Sequence, residues 1–181
     1  HGSPTCVMSF EGATGWMVGK PNGGMAAMFT MMNNARLGVG AQGIGVAEAA
    51  YQHALAYAQE RKQGRTPKGD TAIIDHADVR RMLAVMKAET FAARAIALDC
   101  GLAIDMGRAT GKDSWKARAA LLTPIAKAHG TDIGCEVSSM GVQVHGGMGF
   151  IEETGAAQYF RDARITPIYE GTNGIQAMDL V

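Results

Sequence analysis

Apolar residues recur at helical spacing from residue 25 to about residue 61, placing Met28, Met32, Leu37, Ala41, Ile44, Ala47 and Tyr51 on one face. This pattern predicts a first long helix, which at about 1.5 Å per residue would reach roughly 55 Å. Gly38, Gly40, Gly43 and Gly45 weaken it intrinsically. Four glycines so close together predict tight approach to another helix or to a bound ligand rather than a break. A second helix is predicted from residue 74 or 75 to about 106, with Val79, Met82, Val85 or Met86, Phe91 and Ile96 on its apolar face. Gly107 and Gly111 punctuate the turn that follows. A third helical stretch covers about 115–144, with Pro124 either kinking it or standing just inside a restarted helix, and Gly146 and Gly147 ending it. A GGMGF turn, a short helix over about 154–163 and a last helix opened by Thr172 complete the series. The start of the chain differs. Residues 5–10 (TCVMSF) are a short β-leaning run stopped by Glu11 and Gly12, which predicts an edge strand, and 19–24 is a turn cluster. The fold class is therefore all-α, an antiparallel up-down helical bundle.

Composition narrows the function classes. Seventeen Lys and Arg balance seventeen Asp and Glu, which leaves no electrostatic footprint for nucleic acid or anionic membrane. No apolar run reaches the length of a membrane span, and a cytoplasmic location is expected. Cys6, Cys100 and Cys135 are scattered and odd in number, and read as buried thiols of a reducing compartment rather than disulfides. His53, His76, His129 and His145 lack paired ligand spacing, so no metal is expected.

The chemistry concentrates in residues 161–176, RDARITPIYEGTNGIQ. Here Glu170 stands between an aromatic and a Gly-Thr turn, directly before a helix-forming segment. Gly171 lets backbone approach a ligand closely, and Thr172 can cap the helix beginning at Asn173. Residue chemistry alone leaves two readings open, a substrate base or an acidic residue favoured by a helix start. Arg161 and Asp162 read as a structural pair that steadies the loop.

IYEGTNGIQ resembles the signature of the acyl-CoA dehydrogenase family, and other segments resemble it in the same order. NNARLGVGAQGIGVAEAAYQHALAYAQERKQGR is similar to the first long helix of that family's carboxyl-terminal domain and the Arg-rich turn after it; IIDHADVRRMLAVMKAE resembles its second helix. VQVHGGMGF is similar to the family's flavin-contacting segment, and RDARI precedes the catalytic loop as in relatives. The opening of the chain resembles more narrowly the branch that includes 3-methylmercaptopropionyl-CoA dehydrogenase. Residues 1–20 are accordingly expected to be a residual segment of a preceding β-domain. Residues 21–181 are expected to be the helical carboxyl-terminal domain, cut at its end and inactive in isolation.

The resemblance implies α,β-dehydrogenation of an acyl-CoA thioester, with Glu170 as the base that removes the α-proton and FAD as hydride acceptor. Burial beside an acyl chain would raise the carboxyl pKa toward its task, and the Glu170 N–H with a flavin hydroxyl would polarise the thioester carbonyl. Some relatives carry the base on the first long helix, immediately before the residue matching Arg36; that position is Ala35 here. Substrate contacts implied are Asn33, Arg36 and Gly171. Cofactor contacts implied are Arg61 and Gln63 toward the FAD of a neighbouring subunit, Gln143, Val144, His145, Gly146 and Gly147 along the adenosine diphosphate part of FAD, and Thr172 and Gly174 near the flavin. His145 reads mainly as a packing or capping residue. ERKQGR lacks the Phe common at this turn, and Asn33 stands where several relatives have Asp. Implied partners are the acyl-CoA, an electron-transfer flavoprotein as electron acceptor, and further copies in a homodimer or homotetramer. An acyl-CoA oxidase, a noncatalytic oligomerisation module or a DNA-associated member of the superfamily are the alternatives.

Overall fold

Three long helices carry the protein. In the computed structural model, which describes residues 4 and 6–181, α1 is Gly24–Glu60, α2 Ala77–Thr110 and α3 Asp113–His145, followed by the short helices α4 Gly147–Phe150, α5 Ala156–Ala163 and α6 Asn173–Met178. Loop 61–76 and a two-residue link reverse the chain twice, so α1 and α3 run parallel and α2 antiparallel to both. The all-α up-down bundle follows.

Small residues set the register of α1 against α3. A Cβ at Gly40 would lie 2.7 Å from the Ala126 carbonyl oxygen, and one at Gly43 would press on the Gly130 carbonyl, 2.8 Å from Thr131 Cα. Gly130 and Gly134 meet Gly40 and Gly43 in return. Two of the four clustered glycines thus mark helix approach, whereas Gly38 and Gly45 face open space. The buried stripe of α1 is Arg36, Val39, Gly40, Gly43, Ile44, Ala47, Ala50, Ala54 and Ala58, richer in glycine and alanine than the expected face. Ile44 and Ala47 are buried as expected, but Met28 and Ala41 are exposed. On α2, Met82, Leu83, Met86 and Ala93 are buried, while Phe91 is 69% exposed and does not join the core.

Element ends follow local chemistry. Ile73–Asp75 is a single 3-10 turn, so α2 starts later than expected, and it runs on past Gly107 to Gly111, whose φ of 67° closes the helix with its N–H on the Gly107 carbonyl at 3.0 Å. Helix α3 passes through Pro124 as one helix rather than restarting. Gly146, at φ 62°, ends α3, and the expected GGMGF turn instead includes one helical turn. Gly155 at φ 74° delays α5 to Ala156. Of the expected edge strand, Thr5 lies outside the described residues, and Cys6–Phe10 is exposed and not in a strand. Only two isolated bridges, Lys62 with Ala72 and Thr66 with Gly69, occur among the described residues. A lone β-leaning run has no ladder to join. Cys6 is exposed, unlike buried Cys100 and half-buried Cys135.

Candidate functional site

Residues 164–172 leave α5 through consecutive turns that bury Thr166, whose hydroxyl donates to the Ala163 carbonyl at 2.8 Å. Tyr169 reaches back to α1, its hydroxyl on the Gln42 side chain. Glu170 and Gly171 then take consecutive left-handed conformations, φ 53° and 85°. For a non-glycine residue this geometry costs about 1–2 kcal/mol and persists only where surroundings impose it. Gly171 has two reasons to be glycine. Its φ is positive, and a Cβ there would lie 2.8 Å from Gln176 Nε2. Thr172 caps α6 as expected, its hydroxyl accepting from the Ile175 N–H at 3.4 Å.

Three residues that sequence reading overlooked hold this loop. Lys127, on α3 and fully buried, donates from Nζ to the Gly171 carbonyl at 2.7 Å and to Asn173 Oδ1 at 2.9 Å. Gln176, also fully buried, donates to the same carbonyl at 3.2 Å. Asn173 donates its amide to Asp132 Oδ1 at 2.7 Å. Burial pushes the Lys127 ammonium below its usual range, with Asp132 opposing and Arg36 reinforcing the shift. A signal was present: Lys127 occupies the core register of α3, in step with buried Pro124, Gly130, Thr131, Gly134 and Ser138, where a lysine has no reason to sit unless it is paired.

Arg36 is buried, with Nη1 on Asp179 Oδ2 at 2.5 Å and its Nε without a partner. It shares a cleft of about 460 Å³ with Asn33, Thr30, Arg108, Thr123 and Asp179. The two expected substrate contacts on α1 therefore meet in one cleft.

The other expected cofactor residues gather elsewhere. Arg61 and Gln63 follow the end of α1, where Arg61 Nη2 donates to Gln63 Oε1 at 3.4 Å. Because α1 and α3 are parallel, 143–147 lie at the same end. Between Lys127 and Gln143, sixteen residues of helix separate this end from the Glu170 loop by about 24 Å. Gln143, Gly146 and Gly147 are exposed, but the Val144 and His145 side chains face inward. The His145 ring stacks on Tyr57 at 4.3 Å and lies 4.7 Å from His53. Its Nδ1 donates to the Gly141 carbonyl at 2.8 Å, leaving Nε2 buried and unpartnered; burial holds the imidazole below its usual range. His145 is thus a packing residue in its side chain, available to a ligand only through its backbone. Gly174 is exposed, and a Cβ there would lie 3.7 Å from Thr172 Oγ1. Arg161 and Asp162 do not pair with each other: Arg161 bonds Glu152 at 2.7 Å and Gln158 at 2.9 Å, and Asp162 accepts from Gln158 at 2.8 Å. Successive helical residues point apart, and Gln158, one turn earlier, reaches both.

Residues 22–181 match the family model described as acyl-CoA dehydrogenase, C-terminal domain. The chain is 50% identical over 186 residues to 3-methylmercaptopropionyl-CoA dehydrogenase of Ruegeria pomeroyi, covering 99% of this chain and 32% of that protein. It is 32% identical over 162 residues to the caffeyl-CoA reductase-Etf complex subunit CarC of Acetobacterium woodii, covering 89% and 39%. The solved structure of butyryl-CoA dehydrogenase from Megasphaera elsdenii superimposes with a TM-score of 0.76 at 32% identity, covering 90% of this chain and 39% of that one. The chain thus spans about a third of the length of the curated relatives it matches.

Proposed function

The chain belongs to the acyl-CoA dehydrogenase family, as its C-terminal domain, and from that premise we propose that the protein of which it is part oxidises an acyl-CoA thioester to the trans-2-enoyl-CoA with Glu170 as the α-proton base. The observation that carries this reading is the backbone of Glu170. A half-buried carboxylate held in a left-handed conformation, followed by a second left-handed residue clamped from behind, is a preorganised group rather than a capping residue. Thr172 already caps α6, so the capping role needs no glutamate. Ala35 cannot accept a proton, which leaves Glu170 to do so.

The residues present suit FAD. Arg61 offers an exposed guanidinium for a pyrophosphate, and Gln143, Gly146 and Gly147 offer accessible donors and backbone. Thr172 and Gly174 stand exposed beside the base for the flavin end. Bound FAD would supply the acceptor for the β-hydrogen. Following the family resemblance, we assign Arg61 and Gln63 to the cofactor of a neighbouring subunit, 143–147 to the adenosine diphosphate part of FAD, and Thr172 and Gly174 to the flavin this base serves; the first two groups lie about 24 Å from the third along α3. Exposed Phe91, Leu98 and Leu102 on α2 support a homo-oligomer built through helical faces. Asn33 and Arg36 would hold the CoA portion in their shared cleft, and Gly171 would admit the thioester close to the backbone. An electron-transfer flavoprotein is proposed as the acceptor of the electrons, and the cytoplasm as the location.

The test is anaerobic mixing of the full-length enzyme with 3-methylmercaptopropionyl-CoA or butyryl-CoA. Flavin bleaching with formation of the enoyl-CoA is expected. Failure of both thioesters to bleach the flavin would remove the reading. Rapid oxygen uptake without an added acceptor would identify an oxidase instead.

A further inference from the structure

A fully buried lysine whose donors all converge on one loop is costly to keep. A methionine of similar length would occupy the same space without any desolvation cost. Lys127 spends its bonds on Gly171 O and Asn173 Oδ1, 44 and 46 residues away in sequence. The Gly171 carbonyl belongs to the residue immediately after Glu170, and it also receives the Gln176 amide. Two buried donors on that one oxygen fix the plane of the Gly171–Thr172 peptide, and with it the left-handed pair at 170 and 171. The far side of the loop is fixed to the same helix, because Asn173 donates to Asp132 and to the Ala128 carbonyl, at 2.7 and 3.3 Å. Lys127 itself is anchored in the close α1–α3 seam, since its Cα would lie 3.2 Å from a Cβ at Gly40. Through Lys127 the loop is therefore referenced to the α1–α3 backbone seam, beside the exposed side-chain contacts to Asp132 and Gln42.

Resting on the assignment of Glu170 as base, we propose that Lys127 is the positioning residue for that base: through the Gly171 carbonyl and the Asn173 side chain it holds the Glu170 carboxylate and the Glu170 N–H at the α-carbon and the thioester oxygen. Lys127 touches neither substrate nor cofactor in this role. Its loss leaves a competent base that is misplaced, and misplacement on the order of 1 Å costs up to about 100-fold in rate. Gln176 supplies the second donor to the same oxygen, so its loss has a smaller effect of the same kind.

The experiment uses the full-length holoenzyme and anaerobic stopped-flow reduction by 3-methylmercaptopropionyl-CoA carrying hydrogen or deuterium at the α-carbon, with rates expressed per bound flavin. Lys127→Met, Gln176→Leu and Glu170→Gln are compared with the native enzyme. For Lys127→Met the saturating rate is expected to fall about 10- to 100-fold. The half-saturating concentration should stay unchanged, and the isotope effect should rise as proton abstraction becomes more limiting. Gln176→Leu is expected to move the same quantities less. A lysine that only stabilises the fold would lower the yield of flavinated enzyme and leave the rate per flavin and the isotope effect native, which overturns the proposal. If Lys127→Met does not accumulate with flavin, Gln176→Leu decides, and native values there overturn it equally. Glu170→Gln separates the two layers. An inactive Glu170→Gln beside a native Lys127→Met removes only the positioning role, whereas an active Glu170→Gln removes the base assignment and the positioning role with it.

Discussion

Gly43→Ala isolates the packing that sets the whole bundle. An alanine is the better helix former by about 1 kcal/mol, so propensity alone would make the substitution stabilising. The structure reverses the sign. The new methyl would press on the Gly130 carbonyl and sit 2.8 Å from Thr131 Cα, against about 3.5–4.0 Å for an ordinary carbon–carbon contact. Both neighbours are backbone, so no rotamer change relieves the clash, and α1 and α3 must part by about 1 Å. Overpacking of this kind costs up to about 3 kcal/mol, for a net loss near 2 kcal/mol. In a domain of this size that lowers Tm by about 4–8 °C. Gly45→Ala, two residues along the same helix and facing open space, keeps only the propensity gain and should raise Tm by about 2–4 °C. Thermal unfolding of both variants by circular dichroism gives the comparison directly. A Gly43→Ala protein that melts at or above Gly45→Ala would refute the close backbone seam.

The buried His145 ring gives a pH dependence of known sign. Its folded-state pKa is depressed below 6.5 by burial, with His53 adding to the shift, so the stability it contributes is fully present above about pH 6.5 and is lost as pH falls below that toward the folded pKa. His145→Phe keeps the stack on Tyr57 and removes the titration, so the decline in Tm between about pH 7 and 5 should be shallower than in the native protein; an identical decline would count against it. Ala35 offers a gain-of-function test in the full-length enzyme. In the Glu170→Gln background, Ala35→Glu should restore part of the flavin reduction by an acyl-CoA, and no recovery would show that position 35 does not reach the α-carbon.

Periodicity and glycine punctuation made the three long helices and their order legible, because a continuous amphipathic segment admits few other arrangements. Which face of α1 turns inward was not legible. The inward face is set by the close approach of α1 to α3 at Gly40 and Gly43, and only a pairing of two distant segments reveals it. Phe91 looks core-like by type but lies outside, while Met82, Leu83 and Met86 of the same helix fill the core. At the site, Glu170, Gly171 and Thr172 could be found because their motif is contiguous. Asn173 and Gln176 stand inside that motif, but residue type does not show that they hold the loop; Lys127 lies on a different helix, and the target it shares with Gln176 is a main-chain oxygen, which leaves no mark in the sequence. The buried register of Lys127 was the one available hint. His145 shows the opposite limit, since a residue inside a cofactor-like segment can turn its side chain away from the surface that segment presents.

The most direct measurement is anaerobic stopped-flow reduction of the full-length Glu170→Gln enzyme by an acyl-CoA that reduces the native one. Gln keeps the shape of the side chain and cannot accept the α-proton. General-base catalysis contributes about two to four orders of magnitude, and the loss is expected at the upper end or beyond, with flavin content and CoA-ester binding nearly intact. Native-like bleaching by the variant would contradict the assignment of Glu170 as the base.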